Sequence, residues 1–268
     1  MADSAPIGGA IAVVTVVTGA IAVVTGGGTG IGRSICLALA RAGASAIVLT
    51  YSKSADEAEQ TAGELRELGC AARAARVDVR DEGAVVELMS ATVAEFGRID
   101  ILINNAGATR LIPFDDLDAI TDDDWELVLG VNIRGAFSCT RAAAAALRAS
   151  RGSVVNVASI AGWRGVGSSI PYGVSKAGML QLTRGLAVAL APEVRVNSVS
   201  PGSVSTRWMG ELVGEDVAAE RRAQEAATLP LGRVATPDDV AEAVIALLNA
   251  RFVTGQDVII DGGRNLLY

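Results

Sequence analysis

The 268-residue sequence contains no histidine, and this absence excludes several common kinds of catalysis. A chain without histidine has no Ser-His-Asp or Cys-His catalytic group, no histidine metal ligand and no histidine general base. Any proton transfer must therefore use Tyr, Lys, Asp, Glu or Cys. The three cysteines, Cys36, Cys70 and Cys139, lie far apart and lack the spacing of a metal knuckle or a disulfide framework. We interpret them as idle thiols in a reducing cytoplasm, and we expect no metal site.

Basic and aromatic residues are also scarce. Lys and Arg together number 23 against 30 Asp and Glu, which gives a net charge of -7. Binding to a phosphate polymer needs clustered positive charge, and the sequence has no basic run, so we expect no nucleic-acid partner. Aromatic residues make up 4% of the chain and hydrophobic residues 50%, so a core must be built from Ala, Val, Leu and Ile.

Residues 5–32 carry no charge and could be mistaken for a membrane span. Gly and Thr interrupt the stretch and no positive segment precedes it, so we expect no signal peptide, no membrane partner and a cytoplasmic location. Within it the heptapeptide GAIAVVT occurs twice, at residues 9–15 and 19–25. Only the second copy enters a glycine-rich loop, which predicts an N-terminal extension at residues 1–18 and one domain at residues 19–268. The first copy could be an extension, a duplication or a cloning addition.

After residue 25, short apolar runs alternate with longer helical patterns. Continuous apolar runs are typical of strands buried on both faces, and regular βαβ alternation predicts a doubly wound parallel sheet in a three-layer α/β domain. The predicted strands are residues 20–25, 46–50, 73–77, 99–103, 153–157, 195–198 and 257–260, and the predicted helices are residues 30–42, 55–68, 82–96, 123–148, 171–190 and 237–248. Residues 203–228 lack a clear pattern and follow a strand end, which predicts a mobile lid over a ligand; a plain surface excursion is the alternative.

The first predicted strand runs into the loop TGGGTGIG at residues 25–32, which precedes a helix. Glycines at this position let a pyrophosphate approach the backbone N–H groups and the positive end of the helix dipole. The loop predicts a dinucleotide site that includes Gly26, Thr29, Gly30, Ile31 and Gly32.

The end of the second strand bears on which dinucleotide binds. In NAD-preferring proteins of this architecture an acidic residue there binds the ribose hydroxyls. Here the sequence is Thr50-Tyr51-Ser52-Lys53, with no carboxylate before Asp56. Ser52 and Lys53 could bind a 2′-phosphate, which favours NADP, with NAD as the alternative.

Further motifs follow in order along the chain: NNAG at residues 104–107, Asn132, Ser159, YGVSK at residues 172–176, PGSVST at residues 201–206 and DGG at residues 261–263. Together with the glycine loop, this series resembles the short-chain dehydrogenase/reductase family from about residue 20 to the carboxyl terminus. The resemblance implies a Rossmann-type sheet of about seven strands in the order 3-2-1-4-5-6-7. It also implies a catalytic tetrad of Asn132, Ser159, Tyr172 and Lys176.

The resemblance further implies positions around the cofactor. It places Asp78 and Val79 beside the adenine, and the backbone of Asn105, Ala106 and Gly107 under the nicotinamide ribose. The motif after the sixth strand supplies Pro201, Gly202, Val204 and Thr206, the last two near the carboxamide. Some NADP-using relatives carry arginine where this chain has Thr29, so Lys53 is nearly the only predicted reader of the phosphate.

Tyr172 and Lys176 lie four residues apart on a predicted helix and therefore share one face. A free phenol has a pKa of about 10, and a neighbouring ammonium would lower it toward neutral pH. In this interpretation Tyr172 exchanges the proton, Ser159 holds the same substrate oxygen, and Lys176 binds the nicotinamide ribose. Asn132 resembles a family residue whose local helix distortion supports a water relay to the lysine. The Tyr–Lys spacing favours reduction of C=O over reduction of C=C.

The leading hypothesis is an NADP-dependent carbonyl reductase similar to 3-oxoacyl-carrier-protein reductases or biosynthetic ketoreductases. An NAD-dependent alcohol dehydrogenase, and a nucleotide-binding regulator without turnover, remain as alternatives. We expect a homotetramer or dimer, because residues 142–146 form an alanine-rich helix face suited to packing, although such a face also suits internal packing. Predicted pocket residues around a small-molecule or acyl carbonyl substrate are Thr109, Ile160, Trp163, Arg164, Trp208 and Met209.

Overall fold

The strands of the central sheet form where the sequence has its apolar runs. The computed structural model describes residues 16–206, 210 and 213–267. Seven strands pair in parallel in the order β3-β2-β1-β4-β5-β6-β7, as the resemblance predicted. They are β1 (Ile21–Val24), β2 (Ala46–Tyr51), β3 (Ala71–Arg76), β4 (Ile101–Asn104), β5 (Ser153–Val157), β6 (Arg195–Pro201) and β7 (Asp257–Ile260).

Helices cover both faces of the sheet, so the predicted three-layer architecture is confirmed. They are α1 (Gly30–Arg41), α2 (Ala55–Glu67), α3 (Glu82–Phe96), α4 (Asp122–Leu129), α5 (Ala136–Ser150), α6 (Ile170–Leu190), α7 (Glu215–Ala226) and α8 (Pro237–Asn249). The alternation of side chains along a strand divides the core into two layers. In β1, Ala22 and Val24 pack with α1 and α8, whereas Val23 packs on the opposite face with residues of α3, α5 and α6.

One predicted helix, residues 123–148, is not a single α-helix. The α4 helix ends at Leu129, a π-helical turn runs from Gly130 to Gly135, and α5 begins at Ala136. A π turn inserts one residue into the helical repeat and rotates the side chains that follow. The apolar pattern does not show this insertion, because the buried residues of the turn are Gly130, Asn132 and Gly135, none of which marks an apolar face. Asn132, one of the predicted catalytic residues, lies within this break.

The structure bears on two other predicted segments. Residues 1–15, including the first GAIAVVT copy, lie outside the described residues, so the division at residue 18 stays a prediction. The turn at residues 16–19 packs on the domain: Val17 is fully buried in the core, and the Val16 N–H donates to Asn249 Oδ1 at 3.0 Å. Within residues 203–228 the structure places the helix α7, which the sequence pattern did not indicate. The proposed mobility of that region stays a prediction.

Neither a membrane-spanning helix nor a metal-holding cluster is found among the described residues. None of their helices combines the length and the apolar character needed to cross a bilayer. In the same part of the chain, no group of three or more Cys, Asp or Glu side chains is placed to hold a metal ion.

The three cysteines are buried, and burial raises the pKa of each thiol, to about 11 for Cys70 and about 12 for Cys139.

Candidate active site

The glycine loop after β1 folds tightly against its neighbours. Gly26 and Gly30 adopt φ values of 64° and 52°, a left-handed conformation that glycine adopts without the steric cost of a Cβ. At Gly32 an added Cβ would lie 2.2 Å from the Gly26 carbonyl oxygen, so only glycine fits there. The loop is therefore a close turn at the carboxyl end of β1, fastened to β2 by the Gly26 N–H, which donates to Thr50 Oγ1 at 3.2 Å, and by the Gly27 N–H, which donates to the Thr50 carbonyl at 3.0 Å.

The NNAG segment after β4 fastens this turn. The Asn105 side-chain amide donates to the carbonyl oxygens of Thr25 and Gly26, both at 3.0 Å. The Thr25 hydroxyl in turn accepts the backbone N–H groups of Asn105 and Ala106, both at 3.0 Å. Two predicted cofactor-binding segments thus meet at the carboxyl ends of adjacent strands, where open α/β sheets bind ligands.

The amino end of α1 is built to receive an anion. No described side chain caps its first N–H groups, and its first turn contains no acidic residue. By contrast, α2, α3, α4, α7 and α8 each carry Asp or Glu in the first turn, where the negative charge offsets the helix dipole. The free donors of α1 and its uncompensated dipole therefore suit a pyrophosphate.

Residues after β6 and β3 contact the glycine loop and the π turn, respectively. Thr206 after β6 lies close to the loop, since a Cβ on Gly30 would be 3.5 Å from Thr206 Cγ2. Val79 after β3 contacts the π turn, where a Cβ on Gly135 would be 2.6 Å from Val79 Cγ2. The neighbouring Asp78 is held by the Arg80 guanidinium, whose hydrogen bonds lower the pKa of that carboxyl.

The end of β2 carries no carboxylate. Ser52 and Lys53 follow Tyr51 directly and are both exposed, and Lys53 forms no ion pair with another described residue. An exposed ammonium at this position can attract a phosphate monoester, and the next carboxylates along the chain are Asp56 and Glu57 in the first turn of α2.

The predicted catalytic side chains come together above β5. Ser159 follows that strand and caps a short 3-10 turn, accepting the Ala161 N–H at 3.2 Å. Tyr172 lies in the first turn of α6, where Ser169 accepts the Tyr172 N–H and Pro171 occupies the first turn. The Ser159 hydroxyl lies near the Tyr172 phenol, and its influence lowers the pKa of that phenol.

Lys176 lies one helical turn after Tyr172 and is only 5% exposed. Its Nζ donates to the Val157 carbonyl oxygen at 2.8 Å and lies 5.6 Å from the centre of the Tyr172 ring. The two side chains therefore share the helix face that the spacing predicted. The predicted fall of the tyrosine pKa is wrong, because burial of the phenol acts in the opposite direction. Burial raises the pKa of Tyr172 to about 12, although the nearby Ser159 hydroxyl opposes the rise, and burial lowers the pKa of Lys176 to about 8.

Asn132 is fully buried in the π turn and joins three elements. Its Oδ1 accepts the Ala108 N–H at 2.7 Å, and its Nδ2 donates to the Ala108 carbonyl at 3.1 Å and to Ser175 Oγ at 2.9 Å. The π turn thus places an amide between the loop after β4 and the helix that carries Tyr172 and Lys176.

Known proteins share this arrangement of sequence and fold. A family model described as Enoyl-(Acyl carrier protein) reductase matches residues 26–265. A ketoacyl reductase of the granaticin polyketide synthase of Streptomyces violaceoruber is 43% identical, over 92% of this chain and 96% of its own. The cis-4-hydroxycyclohexanecarboxylate dehydrogenase of Sinomonas cyclohexanicum is 38% identical, over 91% of this chain and 95% of its own. A solved structure described as a short-chain dehydrogenase/reductase from Burkholderia xenovorans superposes with a TM-score of 0.84 at 34% identity, covering 92% of this chain and 98% of its own.

This chain belongs to the short-chain dehydrogenase/reductase family. Members of the family are oxidoreductases that act on CH–OH or C=O groups with a nicotinamide cofactor, and the relatives above are named for that chemistry. The family membership and the enzyme class predicted from the sequence motifs are therefore confirmed.

The predicted substrate-pocket residues of this short-chain dehydrogenase/reductase have different surroundings. Thr109 is hydrogen-bonded to Ser168, beside the cap of α6, and borders a cavity of about 430 Å³ that is also lined by Arg110, Leu111, Ile112, Ala119 and Asp124. Trp163 donates to Asp257 at 2.9 Å, and Arg164 donates to the carbonyl oxygens of Arg264 and Leu267. Ile160 is buried, and Trp208 and Met209 lie outside the described residues.

Two glycines that pack against Tyr172 and Lys176 were not among the residues predicted from the sequence. Gly162 touches α6 so closely that a Cβ would lie 2.7 Å from the backbone carbon and oxygen of Lys176, and Gly167 packs against the Tyr172 ring. Gly162 follows Ser159 within one turn, which is a weak signal of close packing. The φ value of 123° at Gly167 has no counterpart in the residue pattern.

Proposed function

We propose that this chain is a carbonyl reductase that uses NADPH, with Tyr172 as the proton donor to the substrate oxygen. The observation that carries the proposal is that Ser159, Tyr172 and Lys176 lie together after β5. They lie at the same edge of the sheet as the glycine turn that follows β1. A nicotinamide, when bound, would supply the hydride that reduces the carbonyl carbon. Gly26, Thr29, Gly30, Ile31 and Gly32 would hold its pyrophosphate against α1.

The chain's own groups suit the reductive direction. A phenol with a raised pKa keeps its proton at neutral pH, so Tyr172 is loaded as an acid before the substrate arrives. Ser159, which lies near the phenol, would donate a hydrogen bond to the same substrate oxygen. Lys176 remains largely protonated at pH 7, because its lowered pKa of about 8 still lies above that pH. Its ammonium would stabilise the tyrosinate that forms when the proton has left.

The remaining cofactor contacts are those that the resemblance to the family implies. Asp78 and Val79 would flank the adenine, and Asn105, Ala106 and Gly107 would lie beneath the nicotinamide ribose. Pro201, Gly202, Val204 and Thr206 would close the opposite side. Ser52 and Lys53 would bind the 2′-phosphate, which a carboxylate at the same strand end would repel.

A cofactor titration tests the choice of nucleotide. Tryptophan-to-nicotinamide energy transfer should show NADPH binding at least tenfold tighter than NADH. Lys53→Glu should remove that preference, whereas Arg41→Glu, the same charge change at the far end of α1, should leave it intact. Tighter binding of NADH by the wild type would overturn the assignment to NADP.

The role of Tyr172 is tested by Tyr172→Phe in a screen of ketones and β-keto thioesters. General acid catalysis contributes about 10²- to 10⁴-fold, so turnover should fall by that range while NADPH still binds. Retained turnover in the variant would show that another group donates the proton. Absence of turnover by the wild type on every carbonyl would favour a nucleotide-binding regulator.

An NAD-dependent alcohol dehydrogenase working oxidatively is the second candidate. Its support is the likeness to cis-4-hydroxycyclohexanecarboxylate dehydrogenase, which is named for an alcohol, whereas the granaticin relative is named for ketoacyl reduction. The substrate is therefore a small-molecule or acyl carbonyl compound, or the corresponding secondary alcohol.

We also propose a cytoplasmic homotetramer or dimer, to be checked by light scattering.

A further inference from the structure

Ser175 lies at a junction that the reaction scheme above does not use. It precedes Lys176 in α6 and is fully buried. Its hydroxyl makes two hydrogen bonds, donating to the Tyr172 carbonyl oxygen at 2.7 Å and accepting from Asn132 Nδ2 at 2.9 Å. One small side chain therefore connects the π turn with the helical turn that carries both the phenol and the ammonium.

We propose that Ser175 is a positioning residue that couples Asn132 to the first turn of α6 and thereby sets the place of Tyr172. This inference rests on the proposed function, since it concerns the geometry of the proposed proton donor. Ser175 itself touches no reacting atom in this scheme.

The buried side-chain amide of Asn132 has a partner for its oxygen and for both of its N–H groups. Its two N–H groups have two acceptors, Ala108 O and Ser175 Oγ, and its oxygen accepts the Ala108 N–H. A buried amide donor that loses its acceptor pays a desolvation penalty, so the side chain would rotate toward a new partner. Rotation would release the Ala108 N–H and with it the loop that follows Gly107, which is a predicted cofactor contact.

The second bond acts on the catalytic helix itself. A serine that donates to the carbonyl three residues earlier pulls on that peptide unit and tends to bend the helix. In α6 the affected peptide belongs to Tyr172, whose phenol must meet Ser159 on the neighbouring segment. Displacement of a reacting group by about 1 Å can cost about 10²-fold in rate, so the loss of a tether next to Tyr172 should be visible in kcat.

The same helix offers a matched control. Thr183, about two turns further along α6, is also buried, donates to the Met179 carbonyl at 2.8 Å and accepts from the Asn156 amide at 2.9 Å. Thr183→Val removes a hydroxyl with the same kind of partners but without a link to Tyr172. The two substitutions should therefore destabilise the chain similarly and differ only in their effect on the site.

The experiment compares Ser175→Ala with Thr183→Val in NADPH-dependent ketone reduction and in urea unfolding. Ser175→Ala should lower kcat about tenfold with the KM for the ketone changed less than twofold, and Thr183→Val should keep kcat within twofold of the wild type. In an Asn132→Ala background the effect of Ser175→Ala on kcat should shrink to less than twofold, because the coupled partner is gone. Equal kcat losses in the two hydroxyl variants, or an undiminished loss in the Asn132→Ala background, would overturn the proposal.

A readout independent of turnover separates this inference from the proposed function. Ser175→Ala should speed the amide hydrogen exchange of Ala108 at least tenfold, measured by NMR, whereas Thr183→Val should not change it. An unchanged Ala108 rate shows that Ser175 does not hold Asn132, even in a chain without detectable turnover. Ser175→Cys, which nearly preserves side-chain volume, replaces the alanine variant if that variant does not fold. Its kcat should lie between those of the wild type and Asn132→Ala, and a kcat equal to the wild-type value would overturn the proposal.

Discussion

Lys176 should weaken the folded chain even though the proposed reaction needs it. Its Nζ is buried and is paired only with the Val157 carbonyl among the described residues. Burial lowers its pKa from 10.5 to about 8, so at neutral pH the folded state must hold an ammonium that the surroundings disfavour. Each pKa unit is worth 1.36 kcal/mol, so this burial costs about 3 kcal/mol of stability at pH 7.

The substitution Lys176→Met removes the charge and keeps a stem of similar length. It also removes the hydrogen bond to Val157, which contributes about 1 kcal/mol, so the free energy of unfolding should rise by about 2 kcal/mol. Turnover should be lost in the same variant. Urea unfolding followed by circular dichroism measures the stability, with Lys53→Met as the control, because that exposed lysine should change it by less than about 0.5 kcal/mol.

The pH dependence gives the same reasoning an independent test. Between pH 8 and 10.5 the unfolded chain binds a proton at this lysine that the folded chain does not, so wild-type stability gains a favourable contribution as pH rises through that window. The advantage of Lys176→Met should therefore shrink toward pH 10.5. A methionine variant less stable than the wild type at pH 7 would refute the claim that desolvation dominates at this site.

Three further predictions concern other parts of the molecule. Gly162→Ala places a Cβ 2.7 Å from the Lys176 backbone, so the Ser159 segment must shift and kcat/KM should fall about 10²-fold. The control Gly165→Ala adds a Cβ that meets nothing within 4 Å, so kcat/KM should stay within threefold of the wild-type value. Arg233→Ala should lower stability at pH 7, because the guanidinium lowers the pKa of Asp239. The loss measured by urea unfolding should begin to shrink as pH falls below 3.8 and should disappear only once pH has fallen through the lowered pKa of the folded chain, so a loss that does not change with pH would contradict this reasoning. The buried cysteines, with their raised pKa values, should resist a disulfide exchange reagent at pH 7.5 in the folded chain and react in urea, and rapid labelling of the folded chain would be inconsistent with their burial.

The apolar pattern of the sequence was sufficient to predict the sheet and most helices. Strands buried on both faces leave continuous apolar runs, so six of the seven strands lie within two residues of their predicted bounds; only β6 differs more, extending to Pro201. Helix α7 was missed, because its residues are mostly small and charged and a single one, Ala218, is buried. The π turn was not indicated by periodicity, since it changes the helical repeat without changing which residues are apolar.

The candidate site was predictable in composition but not in electrostatics. The motifs identified Ser159, Tyr172 and Lys176, and the fold brings all three to one place. The spacing of Tyr172 and Lys176 could not show that burial outweighs their mutual influence, because desolvation depends on everything that covers α6. Ser175 and Gly162 were missed for a similar reason: their importance arises from contacts made across the fold.

The distribution of lysine in this chain has a practical consequence for handling the protein. The sequence contains two lysines, Lys53 and Lys176, and the second is buried beneath the phenol. Of these two side chains, amine-reactive dyes, crosslinkers and sensor-chip chemistry would therefore reach Lys53. Coupling through Lys53 would attach the molecule by the rim of its proposed cofactor cleft, so an immobilised sample could lose nucleotide binding while remaining folded. The same selectivity makes Lys53 a natural attachment point for a single reporter, whose signal would respond to occupancy of that cleft.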